Sequence, residues 1–332
     1  MPAKTRFDVV AFGNAIVDIL ARVDDVFLQE NSLQKGIMTL IDADTAERLY
    51  AKATGGVTCS GGSAANTAAG IASLGGKPAF IGKVADDPLG EIFARDIRRA
   101  GVFFETAPLP YEPSHPTGRS FVFVTNDAQR TMCTFLGACS RLTVKDADEE
   151  VTTAAAITYI EGYLWDKPEA KAALMCAADM ARSAKRRVAL SLSDPFCVTR
   201  HKASFLELID KNVSLIFCNE EEIKTLLDVS DLNDALDLCS ELCETVVVTL
   251  GEKGAVTVTG KERFSIPAAA PFGVVDTTGA GDLFAAGFLT AFAAGEPVDS
   301  CLKTGQTAAA EIISHYGARP AVSLKTLLTE TA

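Results

Sequence analysis

The chain has 332 residues with a formal net charge of −12, and 48% of its residues are hydrophobic against 22% that are charged. This composition allows a large buried core, and α/β proteins of this length often form a single domain. The acidic balance without a basic stripe argues against a nucleic-acid-binding protein, and no apolar run approaches the roughly 20 residues of a membrane span.

Strand and helix patterns alternate from the start of the chain. The apolar segment "FDVVAFG" predicts a first strand that ends at Gly13, and "PAFIGKV" predicts a second strand. Between the second strand and the middle of the chain, "ADDPLGEIFARDIRRAG" predicts a helix. Asp86 or Asp87 caps its start and Gly101 stops it, and these residue types are typical of helix starts and ends.

The alternation continues through the middle of the chain. Strands are predicted in "AITYIEGYL", "VALSLS", "SLIFCN" and "TVVVTLG", and helices in "PEAKAALMCAADMARSAKRR", "KASFLELIDKN", "EEEIKTLLD" and "LNDALDLCSELC". After the strands "GAVTVTG" and "RFSIPA" the pattern is almost wholly helical. Alternating elements predict βαβ units, so we expect a three-layer α/β/α fold with a doubly wound, mostly parallel sheet.

Two regions break this alternation. Residues 22–44 contain short extended pieces such as "GIMTLID", and residues 117–137 predict a hairpin around the turn "NDAQ". We therefore expect one domain, 1–332, with a small β-sheet lid formed by about 22–44 and 108–137. Covers of this kind close over ligands and exclude water. The alternative is an edge hairpin that does not move.

The cysteines bear on the compartment. Nine of them are scattered singly along the chain, most in apolar surroundings, and the first residues lack the apolar core of a signal peptide. An odd number of isolated cysteines suits buried thiols in a reducing environment. We therefore expect a cytoplasmic protein.

The stretch "DTTGAGDLFAAGF" combines a glycine-rich turn with the start of an apolar helix. Gly279, Ala280 and Gly281 expose successive backbone N–H groups where a helix begins. Those groups have no partner inside the helix, and the aligned peptide dipoles favour negative charge there. Since small residues let a phosphate approach the backbone, the turn predicts an anion site. It matches neither a Walker A loop nor the dinucleotide-binding G-x-G-x-x-G pattern.

Asp282 follows in the first turn of the same helix. A carboxylate there repels a bound phosphate, so we interpret it as a general base that faces a substrate hydroxyl. The helix terminus stabilises its charged form by about 0.3–1 kcal/mol, which predicts an ionised, weak base. Phosphoryl transfer tolerates a weak base, because positioning and charge neutralisation supply most of the catalysis. The alternative is an ordinary acidic residue at a helix start.

Two further clusters have polar side chains beside turns. In "CSGGSAANTAAGIASLGG", Gly61 and Gly62 precede a helix with Asn66 in its first turn, and an amide there can bind sugar hydroxyls. In "FCNEEEIKTLL", Asn219 ends a strand and Glu222 follows in a helix, where oxygen ligands suit a hydrated Mg²⁺. The alternatives are a plain helix start and a capped acidic helix start.

The three clusters, in this order, resemble the ribokinase-like carbohydrate kinases (the PfkB family) over essentially the whole chain. The segment "GGSAANTAAGIASLGGKPAFIGKVADDPLG" is similar to the N-terminal signature of that family, and "DTTGAGD" to its C-terminal one. Ala85 departs from the Gly that the family usually has there. The resemblance implies a ribokinase-like fold, ATP and Mg²⁺, and a kinase whose acceptor is an alcohol group.

The resemblance also implies roles for individual residues. For phosphoryl transfer it indicates Asp282 as the base, Gly279, Ala280 and Gly281 as the anion hole, and Arg130 as a neutralising cation. The acceptor-binding residues that it indicates are Asn14, Asp18, Gly61, Gly62, Ser63 and Asn66. The nucleotide-binding residues that it indicates are Asn219, Glu222, Thr249, Gly251 and Thr278. Glu222 would hold Mg²⁺ through water, and Asp276 a monovalent cation such as K⁺.

Within the family, "FGNAIVDIL", "RTMCTFLGAC" and "YIEGYLW" resemble the adenosine kinases. This implies transfer to the 5′-hydroxyl of adenosine, purine salvage, a monomer rather than a dimer, and a purine wall of Met132, Leu136, Tyr163 and Leu164. The alternative is a sugar kinase for ribose, fructose or a keto-deoxy sugar acid. An acidic sugar would need a further cation, and the sequence shows none beyond Arg130. A non-catalytic sensor and a dinucleotide oxidoreductase fit the motifs less well.

Overall fold

A computed structural model describes residues 5–53, 56–127, 129–269 and 273–331 of the chain. Ala128, in the predicted turn "NDAQ", lies outside the described residues. The strands, in chain order, are β1 (Phe7–Phe12), β2 (Ile16–Arg22), β3 (Met38–Leu40), β4 (Val57–Gly61), β5 (Pro78–Ile81), β6 (Gly118–Val124), β7 (Arg130–Phe135), β8 (Ala155–Glu161), β9 (Arg187–Ser191), β10 (Leu215–Asn219), β11 (Thr245–Thr249), β12 (Ala255–Thr259) and β13 (Glu262–Ile266).

Helices follow most of these strands. In chain order they are α1 (Asp25–Glu30), α2 (Ala43–Lys52), α3 (Ser63–Ser73), α4 (Pro88–Arg99), α5 (Glu149–Thr153), α6 (Pro168–Ser183), α7 (Pro195–Lys211), α8 (Glu220–Leu227), α9 (Leu232–Leu242), α10 (Ala280–Ala293), α11 (Val298–Ile312) and α12 (Leu324–Thr331). None of the helices in the described part of the chain combines the length and apolarity that a bilayer span requires.

The larger sheet has eight strands in the order β13-β12-β11-β10-β9-β8-β1-β5. The strands from β11 to β5 pair in parallel, and β12 and β13 pair antiparallel at one edge. After β1 the chain continues to β5 on one side and then to β8 on the other. Such a switch point opens a crevice at the carboxyl ends of the strands, where α/β proteins bind ligands.

The hydrophobic core has two parts, one on each face of the larger sheet. Because strand residues alternate between faces, Val9 of β1 packs with Ile71 of α3 and Phe288 of α10, whereas Val10 packs on the opposite face. The cluster around Val10 includes Leu174 of α6. Both faces of the sheet are therefore covered, which confirms the predicted three-layer fold.

The smaller sheet has five strands in the order β3-β7-β6-β2-β4. The hairpin of β6 and β7 and the short strand β3 lie in the regions where we expected extended structure. The sheet also takes β2 and β4, which follow and precede the glycine-rich segments near Asn14 and Gly62. Its outer face shares the core of the larger sheet through Val17 and Phe121.

Several boundaries differ from the sequence-based expectation. Helix α7 begins at Pro195, before the predicted segment "KASFLELIDKN", because Asp194 Oδ1 accepts from the backbone N–H of Cys197 at 2.7 Å and caps it there. Strand β8 ends at Glu161, and Gly162–Asp166 forms a 3₁₀ turn instead of continuing the strand. Region 22–44 contains the helix α1 as well as β3.

Candidate active site

A cavity of about 690 Å³ lies between the carboxyl ends of the parallel strands and one face of the smaller sheet. Its volume is within the range of about 300–1,000 Å³ that is typical of small-molecule sites. Ile16 and Asp18 of β2 face it, whereas Val17 between them packs in the core. The predicted residues that line it are Asn14, Asp18, Gly62, Ser63, Asn66, Met132, Leu136, Tyr163, Asn219, Glu222, Thr249, Thr278, Gly281 and Asp282.

Asp282 stands where the starts of α3 and α10 meet. Its Oδ1 accepts from Ser63 Oγ at 2.6 Å, and its Oδ2 accepts from Asn66 Nδ2 at 2.9 Å. The backbone carbonyl of Asp282 also accepts from Thr67 Oγ1 at 3.1 Å. The carboxylate is therefore held in one orientation at the cavity wall, as a general base requires.

The electrostatics of Asp282 differ from our expectation of a weak base. Burial raises the pKa of this carboxyl above its ordinary value, although the hydrogen bonds from Ser63 and Asn66 and the charge of Arg319 act in the opposite direction. Burial outweighs the helix terminus because a carboxylate loses more hydration than one helix end returns. A raised pKa makes the ionised carboxylate a better proton acceptor.

The anion turn precedes Asp282. Gly279 has a φ of +78°, and a Cβ on it would lie 3.0 Å from the Cβ of Ala318. A Cβ on Gly281 would meet no heavy atom of the described residues within 4 Å, since this glycine faces the cavity. Gly279 and Ala280 do not line the cavity, so their part is to form the backbone conformation of the turn.

The acceptor loop, residues 60–66, needs both of its glycines. A Cβ on Gly61 would lie 2.1 Å from Asp18 Oδ2, and a Cβ on Gly62 would lie 2.1 Å from the carbonyl oxygen of Asn14. Gly62 also has a φ of +97°, which disfavours any other residue. Gly61 thus packs behind Asp18, and Gly62 brings the loop into the cavity wall beside Asn14.

Glu161 is a cavity residue that the sequence analysis missed. It is 1% exposed at the end of β8, and its Oε1 accepts from Asn14 Nδ2 at 2.8 Å while its Oε2 accepts from Ala64 N at 2.9 Å. Burial raises its pKa to about 7. The available signal was an acid at the carboxyl end of a buried parallel strand, next to a glycine.

Asn219 and Glu222 form a reciprocal helix cap. Asn219 Oδ1 accepts from the N–H of Glu222 at 2.9 Å, and Glu222 Oε2 accepts from the N–H of Asn219 at 3.0 Å. The capped acidic helix start, which was the alternative interpretation of this pair, is therefore present. Both residues also line the cavity. Burial raises the pKa of Glu222 to about 7, and the nearby Asp194 adds to this effect.

Two residues assigned to the nucleotide lie in different surroundings. Thr249, at the end of β11, lines the cavity and donates through Oγ1 to the carbonyl of Cys218 at 3.3 Å. Gly251 is exposed beyond the wall, with a φ of +59°. The structure therefore brings Thr249 and Thr278 into the cavity but leaves Gly251 outside it.

The expected purine wall is corrected at one position. Tyr163 lines the cavity, and its hydroxyl donates to the carbonyl of Ser193 at 3.1 Å. Leu164 is 3% exposed and packs in the core with Trp165, where burial of its apolar side chain is favourable. The sequence analysis did not predict several apolar wall residues, among them Met38, Leu40 and Phe196, which are 50%, 56% and 76% exposed.

Arg130 and Asp276 are bound to each other beside the anion turn. The guanidinium of Arg130, on β7, contacts Asp276 Oδ2 and Thr278 Oγ1. Asp276 also accepts from the backbone N–H groups of Thr278 and Gly317, both at 3.0 Å. Neither residue lines the large cavity, and Arg130 braces the turn from the smaller sheet. Its role as a cation that neutralises the transferred phosphate stays a prediction.

The sequence pattern that describes the pfkB family carbohydrate kinases matches residues 35–325. The chain belongs to this family. The expected family is therefore confirmed, and the protein is a kinase that phosphorylates an alcohol group.

Individual PfkB relatives agree over nearly the whole chain. A solved adenosine kinase from Sinorhizobium meliloti is similar at 50% identity with a TM-score of 0.91, and the match covers 98% of this chain and 100% of that one. A probable sugar kinase protein from Rhizobium etli CFN 42 is similar at 45% identity with a TM-score of 0.91, covering 98% and 99%. The adenosine kinase of Saccharomyces cerevisiae is 27% identical over 333 residues, which cover 93% of this chain and 95% of that protein.

Membership of the PfkB family implies ATP as the phosphate donor, usually with Mg²⁺. The carboxyl groups near Asn219 suit this ion. Glu222 and Asp194 are two nearby carboxyl groups in the same wall, and hydrated Mg²⁺ prefers oxygen ligands. They would hold the ion through its water molecules.

The monovalent-cation site expected at Asp276 stays a prediction. Both oxygens of Asp276 accept from backbone N–H groups, and the guanidinium of Arg130 lies beside them. Among the described residues, the positive charge next to this carboxylate therefore comes from Arg130.

Proposed function

We propose that this PfkB kinase transfers the γ-phosphoryl group of ATP to the 5′-hydroxyl of adenosine, which forms AMP and ADP. Family membership supports a nucleoside or sugar kinase, and the similarity to a solved adenosine kinase at 50% identity favours the nucleoside. The observation that carries the proposal is a single cavity with a polar end around Asp282 and an apolar wall under the smaller sheet.

The polar end suits a ribose. Asn14 and Asn66 line it with amide groups that can donate to and accept from hydroxyls, and Asp18 adds a carboxylate that accepts from them. The Oδ1 atom of Asn66 is buried without a hydrogen-bond partner among the described residues. A substrate hydroxyl would satisfy this oxygen, since buried polar atoms without a partner are costly.

The apolar wall suits a purine. Met38, Leu40 and Met132 extend from the smaller sheet, and Tyr163 lies on the other side of the cavity. A flat base that covers about 120 Å² of this wall would gain about 3 kcal/mol, or roughly a hundredfold in affinity over ribose alone. The hydroxyl of Tyr163 already donates to Ser193, so its ring acts as a surface and not as a hydrogen-bonding group.

The reaction follows from the placement of Asp282. Its carboxylate accepts the proton of the acceptor hydroxyl while that oxygen bonds to phosphorus, and the bond from phosphorus to the leaving oxygen of ADP breaks. The anion turn at 279–281 stabilises the negative charge on the transferred group. Mg²⁺, when bound, supplies positive charge to the phosphates.

The smaller sheet is proposed as the lid of a single domain, 1–332. The support is that one of its faces packs in the core while the other lines the cavity, so it can exclude water from the reaction. The resemblance to adenosine kinases favours a monomer in the cytoplasm. Sedimentation at micromolar concentration tests the monomer.

A sugar kinase is the second candidate, and the 45% identity to a probable sugar kinase favours it. An acidic sugar requires a cation that is free to bind it. The guanidinium of Arg319, close to Asp18, is bound to the acceptor loop, and Arg200 in the cavity wall is paired with Asp166. Because these arginine side chains are already bound, the cavity favours a neutral acceptor over an acidic one.

The test is ADP formation from ATP and Mg²⁺ with adenosine, inosine, ribose, fructose and a keto-deoxy sugar acid. We expect kcat/KM for adenosine to exceed that for ribose by about a hundredfold, the value derived above from wall burial. Equal or higher kcat/KM for a sugar would reject the nucleoside assignment. Asp282→Asn is the control for activity from a contaminating kinase.

A further inference from the structure

Arg319 ties the segment after α11 to the acceptor loop. Its Nε and Nη2 donate to the carbonyl oxygen and the Oγ of Ser60, both at 3.0 Å, and its Nη1 donates to the carbonyl oxygen of Ala65 at 2.6 Å. These bonds span Gly61 and Gly62 from behind. The planar guanidinium suits this task, since it directs several N–H groups in fixed directions.

The same short segment also holds the anion turn. The N–H of Gly317 donates to Asp276 Oδ2 at 3.0 Å, and Ala318 packs against Gly279. Three consecutive residues, 317–319, therefore contact the two loops whose separation decides how the acceptor hydroxyl meets the phosphoryl group. Small errors in that separation lower the rate of transfer strongly, because a misplacement of 1 Å can reduce a rate by about a hundredfold.

Arg319 also carries a positive charge between two carboxyl groups. It lines a small cavity of about 30 Å³ together with Asp18, Asn66 and Arg130. Burial raises the pKa of Asp18 to about 7 and also raises that of Asp282, and the charge of Arg319 lowers both.

Other charged or titratable groups act on the same carboxyls. Asp282 interacts with Asp18 of β2 and with Glu161 and Tyr159 of β8, while Arg130 of β7 acts on Asp18. Ionised Asp18 and Glu161 oppose ionisation of Asp282, whereas the positive charge of Arg319 favours it.

We propose that Arg319 is a positioning residue for phosphoryl transfer, which locks the acceptor loop to the anion turn and keeps a fixed positive charge behind Asp282. The proposal rests on the kinase function proposed above, but not on the identity of the acceptor. Arg319 touches no reacting atom in this role. It acts through the loop and through the base.

The test compares Arg319→Met, Arg319→Lys and Arg98→Met by the pH profile of kcat/KM, taken with whichever alcohol the wild type phosphorylates fastest. Arg98 is the matched control, because its Nε donates to the carbonyl of Phe104 at 2.9 Å far from the cavity. Failure of adenosine as a substrate would reject the acceptor assignment and leave this test intact.

In Arg319→Met we expect kcat to fall about a hundredfold. The acidic limb of its kcat/KM pH profile should move about one pH unit higher. Loss of the cation raises the pKa of Asp282, and Asp282 must be ionised to act. Arg319→Lys keeps the positive charge but loses the planar guanidinium and its several N–H donors. The acidic limb of its pH profile should therefore stay in place while kcat falls about tenfold. Arg98→Met should match the wild type.

Two results would overturn the proposal. One is an unmoved acidic limb in Arg319→Met together with a lower melting temperature, which indicates a structural role alone. The other is a wild-type kcat in a folded Arg319→Lys variant, which shows that the planar guanidinium positions nothing. The second result can be obtained even where the Met variant does not fold.

Discussion

Replacing Glu161 by Gln removes a buried ionisable group from the acceptor end of the cavity, so the relative stability of this variant should depend on pH. Burial raises the pKa of Glu161 from 4.5 to about 7. Since the folded state has the higher pKa, folding favours the protonated form. The contribution of Glu161 to the free energy of unfolding is therefore fully present below about pH 4.5, and it is lost as the pH rises through 7. This difference in the pKa of Glu161 between the unfolded and folded states corresponds to roughly 3 kcal/mol of folding free energy.

Thermal unfolding of both proteins at pH 5 and pH 8 measures this difference. Gln does not titrate, and the other buried carboxyls are common to both proteins, so their contributions cancel. The melting temperature of Glu161→Gln relative to the wild type should rise by about 5 °C from pH 5 to pH 8. Glu169→Gln, at the exposed start of α6, should show no such trend. A constant difference between Glu161→Gln and the wild type at all pH values would refute the reasoning.

The remaining predictions concern packing, the base wall and cation dependence. Gly62→Ala should melt at a much lower temperature, since its Cβ would lie 2.1 Å from the carbonyl oxygen of Asn14, whereas Gly281→Ala should melt as the wild type does. Tyr163→Ala should raise the KM for adenosine about tenfold through lost wall area, and an unchanged KM would remove Tyr163 from the wall. Leu164→Ala should instead lower the free energy of unfolding by about 2–5 kcal/mol with little change in KM. Exchange of K⁺ for tetramethylammonium at constant ionic strength should leave kcat unchanged, and K⁺-specific activation would contradict the ion pair of Arg130 as the resident charge.

Local patterns were sufficient to predict the fold and the motifs that surround Asp282. The strand–helix alternation predicted the layers, and the glycines of both loops follow from turn geometry within a few residues. Glu161 and Arg319 could not be predicted in this way, because their partners are distant in sequence: Glu161 binds Asn14, and Arg319 binds Ser60. Such contacts exist only once the chain has folded.

Two expectations rest on the family resemblance and not on local patterns. The resemblance puts Leu164 in the base wall, but in the structure Leu164 is buried in the core with Trp165, while Tyr163 lines the cavity. The resemblance likewise puts a cation site at Asp276, which stays a prediction. The ion pair of Asp276 with Arg130 joins the anion turn to the smaller sheet, and no feature near Asp276 in the sequence indicates it.

Turnover of Asp282→Asn, measured with acceptor binding in the same preparation, tests the central claim most directly. Asn keeps the size of the side chain beside Ser63 and Asn66 but cannot accept a proton from the hydroxyl. The account predicts that kcat falls by about 10²–10⁴-fold while the dissociation constant for the acceptor changes only a few-fold. A folded variant that retains wild-type kcat would show that another group removes the proton.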